Sequence, residues 1–103
     1  MSEKIFGYKA THPGEVLKDE IEYRKISQAE LAKKMGMSYK ILNDILNERR
    51  SLSTTSALMF EAALGVPAES LMNLQLKYNI QTAMQDKSLL KKLNRIRKFA
   101  AVL

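Results

Sequence analysis

The clearest structural signal in this chain is residues 27–47, which read SQAELAKKMGMSYKILNDILN. The pattern predicts two short helices joined by a tight turn at Gly36, because such a turn needs the positive φ that glycine adopts without a Cβ clash. The apolar residues fall where two crossing helices would bury them: Leu31, Ala32, Met35, Met37, Leu42 and Ile45. We place Ala32 at the crossing point, since only a small side chain allows the helices to approach there.

This arrangement is typical of a DNA-binding helix-turn-helix, whose second helix enters the major groove. An ordinary αα-hairpin within a helical bundle would share part of the apolar pattern and is the structural alternative. Because several constraints agree at fixed spacing, we favour the helix-turn-helix.

Length and composition limit the possible functions. The 103 residues suffice for one domain with a modest core, and a hydrophobic content of 46% predicts a folded chain. A formal net charge of +6 favours a polyanionic partner such as DNA, RNA or an acidic protein surface, although many soluble domains are also basic. Cysteine is absent, so neither a disulfide nor a thiolate metal site can form.

The sequence has neither a membrane-spanning run nor an apolar signal core at its N-terminus, so we expect a cytoplasmic protein without membrane contact. It has one histidine, His12, and it lacks a glycine-rich phosphate loop. One histidine without cysteine or a Ser/His/Asp set makes neither a nuclease nor a metal site. We therefore expect no enzyme activity, no cofactor and no metal, and we expect His12 to cap or precede the first helix.

The chain is predicted to be all-α, with five helices and a sixth near the C-terminus. We divide it into a flexible N-terminal arm at 1–12, a DNA-binding and dimerisation domain at 13–84, and a basic C-terminal helical extension at 85–103. The predicted helix boundaries are marked by proline, polar caps and glycine, at Pro13, Ser27, Ser38, Ser53 or Thr54, Gly65 and Pro67.

Helices four and five are predicted from their apolar residues. Helix four carries Ala57, Leu58, Phe60 and Leu64. Helix five begins at Pro67, with Glu69 placed to reach back to the Val66 amide. It carries Leu71, Leu74, Leu76, Tyr78 and Ile80. These residues cover more than one stripe, which predicts a second buried surface and hence a homodimer through helix five.

If the helix-turn-helix binds DNA, the exposed N-terminal part of helix three faces the base edges. There Lys40 could donate to guanine, Asn43 could pair with adenine, and Asp44 could accept from cytosine N4 or repel phosphate. Gln28, at the start of helix two, suits a phosphate oxygen, and the loop after helix three would clamp the DNA backbone. The candidate DNA-binding residues are Gln28, Ser38, Tyr39, Lys40, Asn43, Asp44, Asn47, Arg49, Arg50, Ser53 and Thr54. The alternative is that they form an ordinary solvated surface.

One such module offers few base contacts, and each contributes on the order of 1–3 kcal/mol of discrimination. That is little for a specific site. We therefore expect a dimer that binds a palindromic operator, with half-sites about one DNA turn apart.

Residues 28–46 resemble the Xre/Cro repressor family, which implies a lambda-repressor-like helix-turn-helix domain. A wider resemblance, to the HigA family of antitoxins, runs through residues 12–84. It rests on HPGEVL at 12–17, NERR at 47–50, ALMFEAALG at 57–65 and NLQLKYN at 73–79. The resemblance implies a type II toxin–antitoxin role, in which the protein neutralises a HigB-type mRNA interferase of the RelE class and represses its own operon as a dimer.

The sequence departs from the HigA pattern at identifiable positions. The family usually has glycine after the asparagine that ends helix three, whereas this chain has Glu48, so we expect Asn47 to take the left-handed cap. The usual tryptophan of early helix five is missing from 70–72, and residues 85–103 lie outside the match. Two other functions stay open: a stand-alone Xre-family transcriptional regulator, and a protein-interaction module that has lost DNA binding.

Two charged segments are candidates for the toxin contact. A RelE-type toxin is usually basic, which favours the acidic residues of helix one, Glu15, Asp19, Glu20 and Glu22. The basic helix of the C-terminal extension could contact DNA or toxin, or could be a solvated helix.

Overall fold

The computed structural model describes residues 9–103, which form six α-helices and no strand. The helices are α1 Pro13–Tyr23, α2 Gln28–Met35, α3 Tyr39–Leu46, α4 Thr54–Leu64, α5 Ala68–Ala83 and α6 Lys87–Ala100. The predicted all-α architecture, including the sixth helix, is confirmed. Most of the predicted N-terminal arm, residues 1–8, lies outside the described residues.

Side-chain caps fix the starts of the first four helices. The hydroxyl oxygens of Ser27, Ser38 and Ser53 accept backbone amides of α2, α3 and α4 at 3.3, 3.1 and 3.1 Å, respectively. His12 Nδ1 accepts the Gly14 amide at 2.8 Å, so His12 caps α1. Each cap satisfies one of the amides that the first turn of a helix leaves unpaired, which explains why the polar residues mark the boundaries correctly.

The core forms where α1, α2, α3, α4 and the first turns of α5 converge. Its largest fully buried side chains are Leu17, Ile21, Leu42, Ile45, Leu46, Phe60 and Leu71. Met35 and Met37 are half-buried and pack against this core, in keeping with the apolar pattern. Leu58 of α4 is exposed, because Ala57 and Phe60 already occupy the inward stripe of that helix.

The N-terminus of α1 is held against both α3 and α5. A Cβ atom at Gly14 would overlap the carbonyl oxygen of Ile45, so only glycine allows α1 this close to α3. His12 is buried beside it, and its ring meets Tyr78 of α5 edge to face with centroids 4.7 Å apart. This junction positions the chain that follows α3.

The start of α5 is capped from the preceding helix. Glu61 Oε1 accepts the Ala68 amide at 2.7 Å, whereas Pro67 supplies no side-chain bond. The side-chain cap at the start of α5 therefore comes from Glu61 on the Ala68 amide, and not from Glu69 on the Val66 amide as the sequence suggested. The tight left-handed turn at Gly65, with φ 76°, brings the last turn of α4 beside the first turn of α5.

The outer surfaces of α5 and α6 are apolar in part. α5 buries Leu71 and Gln75 but exposes Leu76 and Ile80. Measured over residues 9–103, α6 has no buried residue, and its Ile96 is exposed. None of the helices within these described residues combines the length and apolarity needed to span a bilayer.

Candidate nucleic-acid interface

The polar side of α3 faces solvent because its apolar side is buried. Gly36, with φ 69°, ends α2 in the left-handed conformation and turns the chain into α3. Leu42 and Ile45 then point into the core, which leaves Tyr39 and Lys40 exposed. We call the polar group at this surface the reading face and define it as Tyr39, Lys40, Asn43, Asp44 and Arg49.

Asp44 lies between two cations of the reading face. Its Oδ2 accepts from Lys40 Nζ at 2.9 Å, and its Oδ1 accepts from Arg49 Nε at 3.2 Å. The hydrogen bond from Lys40 lowers the pKa of Asp44 below its ordinary value; desolvation opposes this shift, and Arg49 adds to it. Asp44 therefore carries its charge at neutral pH and offsets part of the positive charge around it.

Asn43 is oriented by two neighbours. Its Nδ2 donates to Gln28 Oε1 at 3.2 Å, and its Oδ1 accepts from Arg49 Nη2 at 2.9 Å. A side-chain amide has two N–H donors and two oxygen lone pairs, so one of each stays available. That remaining donor and acceptor match N7 and N6 of adenine, the bidentate contact expected for this residue.

The candidate residues of the loop after α3 lie in two different places. The sequence grouped Arg49 with Arg50 as a clamp on the DNA backbone, but the structure folds Arg49 back onto α3. Arg50, Ser53 and Thr54 are exposed beyond it. The hydroxyl of Ser53 accepts the Ser56 amide at 3.1 Å and donates to the Ser56 hydroxyl at 3.1 Å, so it is engaged in both directions at the start of α4.

The prediction that Asn47 takes the left-handed conformation is wrong. Its φ is −100°, and the following residue, Glu48, has φ 63°. Asn47 is held on both sides, because Nδ2 donates to the Asn43 carbonyl oxygen at 2.9 Å and Oδ1 accepts from Lys18 Nζ at 3.2 Å. The strained residue is thus a glutamate, at the position where the HigA pattern usually has glycine.

Two residues that shape this surface were not among the sequence candidates. Lys18 reaches Asn47 from α1. Gln75 of α5 is buried, and its Oε1 accepts the Leu52 amide at 2.7 Å, which anchors the loop between α3 and α4. Neither contact has a local sequence signal, because each joins segments far apart in the chain. The sequence feature that points to Gln75 is its polar side chain at an inward position of α5.

His12 lies beside the same loop. Burial lowers its pKa below the ordinary value of 6.5, while the charge of Glu48 and hydrogen bonding to the Arg50 backbone act in the opposite direction. The neutral ring keeps Nδ1 free to accept the Gly14 amide.

The reading face offers hydrogen-bond donors, acceptors and positive charge. Within residues 9–103, no group of three or more His, Cys, Asp and Glu side chains is placed to hold a metal ion. The arrangement suits recognition of a polar, negatively charged surface.

Comparison with known proteins gives the family. A helix-turn-helix family model matches residues 17–71, which include α2, the turn, α3 and α4. This chain belongs to the helix-turn-helix family. Virulence-associated protein I of Dichelobacter nodosus is 35% identical over 79 residues, which cover 76% of this chain and 73% of that protein.

Solved antitoxin structures share the fold. An addiction module antidote protein of a HigA family from Coxiella burnetii matches with a TM-score of 0.72 and 32% identity, over 88% of this chain and 95% of that chain. Pseudomonas aeruginosa antitoxin HigA, solved with the higBA promoter, matches with a TM-score of 0.74 and 33% identity, over 84% and 94%. The predicted lambda-repressor-like fold and the resemblance to HigA antitoxins are confirmed.

Proposed function

We propose that this helix-turn-helix protein is a HigA-type antitoxin that neutralises a HigB-like mRNA interferase of the RelE class and represses its own operon. Its partners are operator DNA, the toxin and a second copy of the chain, and it acts in the cytoplasm without a cofactor, metal or catalytic activity of its own. Residues 13–84 bind DNA and dimerise, and residues 85–103 form a basic extension.

The observation that carries the DNA-binding part of the proposal is the unused hydrogen-bonding capacity of the reading face. The side chain of Lys40 is 81% exposed, and an ammonium has three donors, of which Asp44 takes one. Asn43 keeps one donor and one acceptor. Operator and promoter complexes of the related Pseudomonas aeruginosa proteins support the same use of this fold.

The other candidates suit contacts with the DNA backbone, which fix the register of the protein on the duplex. Gln28 opens α2, and Ser53 and Thr54 open α4, where free amides attract phosphate. The remaining members of this proposed phosphate-contacting set are Ser38, Asn47 and Arg50.

A homodimer is part of the proposal because one reading face offers few base contacts. Leu76 and Ile80 of α5 are 56% and 55% exposed in the single chain. Residues four apart lie on one side of a helix, so a second α5 packed against this side would cover both. The reading face of each protomer would then contact one half-site of the operator.

The toxin contact is proposed on α1. Glu15, Asp19 and Glu22 are exposed there, whereas Glu20 is paired with Arg24. Free carboxylates attract a basic partner more strongly than a carboxylate that already has a cation. Reversing the charges of Glu15, Asp19 and Glu22 together should weaken toxin neutralisation, and unchanged neutralisation would rule out this surface.

The DNA-binding part is tested with DNA from upstream of the gene and a random duplex of equal length, over a series of salt concentrations. Specific binding should weaken steeply as salt increases, because each phosphate contact releases a counterion. Lys40→Ala should cost about 1–3 kcal/mol on the operator and little on the random duplex. Arg50→Ala should weaken both and reduce the salt slope by about one. Equal losses for Lys40→Ala on both duplexes would contradict base reading.

The antitoxin part is tested by co-expression with the short open reading frame beside the gene. We expect that frame to arrest growth alone, and this protein to rescue growth and co-purify with its product. Operator binding without a toxic neighbour would instead favour a stand-alone regulator. No preference for promoter DNA would favour the interaction module that has lost DNA binding. The carboxylates of Asp44 and Glu48 are the sequence features that support this alternative.

A further inference from the structure

The reading face contains a carboxylate that opposes DNA binding. Asp44 stands where the protein would approach a polyanion, so its charge and the phosphates repel each other. Only 13% of its side chain is exposed, against 81% for Lys40 and 59% for Arg49. The carboxylate is therefore recessed behind the two cations and is poorly placed to accept from a base edge itself.

Each oxygen of Asp44 holds one cation of the reading face. Lys40 Nζ lies 2.9 Å from Oδ2, and Arg49 Nη2 lies 3.2 Å from Oδ1. Arg49 Nη2 also donates to Asn43 Oδ1 at 2.9 Å, which fixes its guanidinium at a second point. Long basic side chains lose rotamer freedom when they bind, and restricting them beforehand reduces that loss. Both cations keep further donors, since an ammonium has three and a guanidinium five.

We infer that Asp44 is a specificity-determining positioning residue, which acts through Lys40 and Arg49 to weaken binding to DNA phosphates while it aligns both cations for base edges. This inference rests on the proposed DNA-binding function. Non-specific binding depends on phosphate charge alone, so the carboxylate weakens it directly. Specific binding also uses the donors that Asp44 leaves free, and their alignment offsets the repulsion.

The experiment compares three variants of the full chain with the wild type. Asp44→Asn removes the charge at nearly constant size, and Asp44→Glu keeps the charge. Glu69→Gln is the matched control, because it removes an exposed carboxylate from a different helix, α5. For each protein, the dissociation constants for promoter DNA and for a random duplex are measured over a salt series, and thermal unfolding is recorded alongside.

We expect Asp44→Asn to bind the random duplex about tenfold more tightly at low salt, with a salt slope steeper by about one. Its affinity for promoter DNA should change by less than about threefold, so the ratio of specific to non-specific affinity falls. Asp44→Glu should recover most of the ratio, and Glu69→Gln should leave the ratio at the wild-type value.

An unchanged affinity ratio in Asp44→Asn, or an equal fall in Glu69→Gln, would overturn the inference. A lowered unfolding temperature with weaker binding to both duplexes would assign Asp44 a purely structural role and would also overturn it. If the wild type shows no preference for its promoter, the proposed operator function fails instead. The random duplex then tests the weakening of phosphate binding by Asp44, and a salt slope that does not steepen in Asp44→Asn would overturn that part as well.

Discussion

Glu48 adopts a left-handed backbone directly after α3, with φ 63°. An L-residue other than glycine loses on the order of 1–2 kcal/mol in this region, because its Cβ crowds the following carbonyl oxygen. The preceding Asn47 is fixed by Asn43 and Lys18 and cannot relieve the strain. Glu48 therefore combines an unfavourable conformation with a negative charge beside the proposed DNA surface.

Glu48→Gly should raise the free energy of unfolding by about 1 kcal/mol, because glycine adopts positive φ without the Cβ clash. Glu48→Ala separates the two effects, since alanine removes the charge but keeps the clash. Both variants should bind DNA more tightly, and only the glycine variant should be more stable in urea denaturation. Equal stability of the two variants would show that the backbone conformation carries no cost.

At the level of single helices, protonation of His12 makes the stability of the start of α1 depend on pH. Burial lowers the pKa of His12 in the folded chain below its ordinary value of 6.5. At a pH between these two values, the unfolded chain binds the proton and the folded chain does not. The stability contributed by this group is complete above 6.5 and declines as the pH falls through that window. His12 is the only histidine in the sequence.

We expect the free energy of unfolding to fall from pH 7 to pH 5.5 in the wild type. His12→Asn keeps an N-cap acceptor but cannot titrate, so its stability should vary less over the same range. Chemical denaturation at several pH values measures both proteins. Parallel pH profiles would show that the ring does not titrate differently in the folded and unfolded chain.

Gln75 ties α5 to the loop that follows α3. Gln75→Leu would leave the buried Leu52 amide without its acceptor, and it should cost about 1–3 kcal/mol of stability. Gln85→Leu is the control at an exposed position and should stay within about 0.5 kcal/mol of the wild type. Similar losses in both variants would indicate an effect of the added leucine rather than of the lost hydrogen bond.

For the whole molecule, the exposed apolar side of α5 predicts self-association. Leu76→Asp should shift the protein from dimer to monomer in sedimentation measurements and weaken promoter binding, because two linked half-sites become two separate binding events. Leu58→Asp is the matched control, since Leu58 of α4 is also 56% exposed. A dimer that survives Leu76→Asp, or dissociates equally in Leu58→Asp, would place the interface elsewhere.

Local signals in the sequence were enough to predict the helices and the turn. The caps at Ser27, Ser38 and Ser53 and the left-handed residue at Gly36 act within a few positions of themselves, so they can be recognised without knowing the fold. The apolar period of α3 likewise predicted which side of that helix faces solvent, and with it the positions of Lys40 and Asn43.

Which side chains meet on that surface depended on the folded chain. The bond from Asn43 to Gln28, the bond from Lys18 to Asn47 and the anchoring of Leu52 by Gln75 each depend on how helices pack. The left-handed conformation lies at Glu48 and not at Asn47, whose side chain is held by Lys18 of α1 and by Asn43. The residue pattern alone thus determined the helices and the exposed side of α3, because those follow from interactions along the chain. Only packing between distant segments decided which partners reach this surface from other helices, namely Gln28, Lys18 and Gln75, because those contacts join positions far apart in the chain.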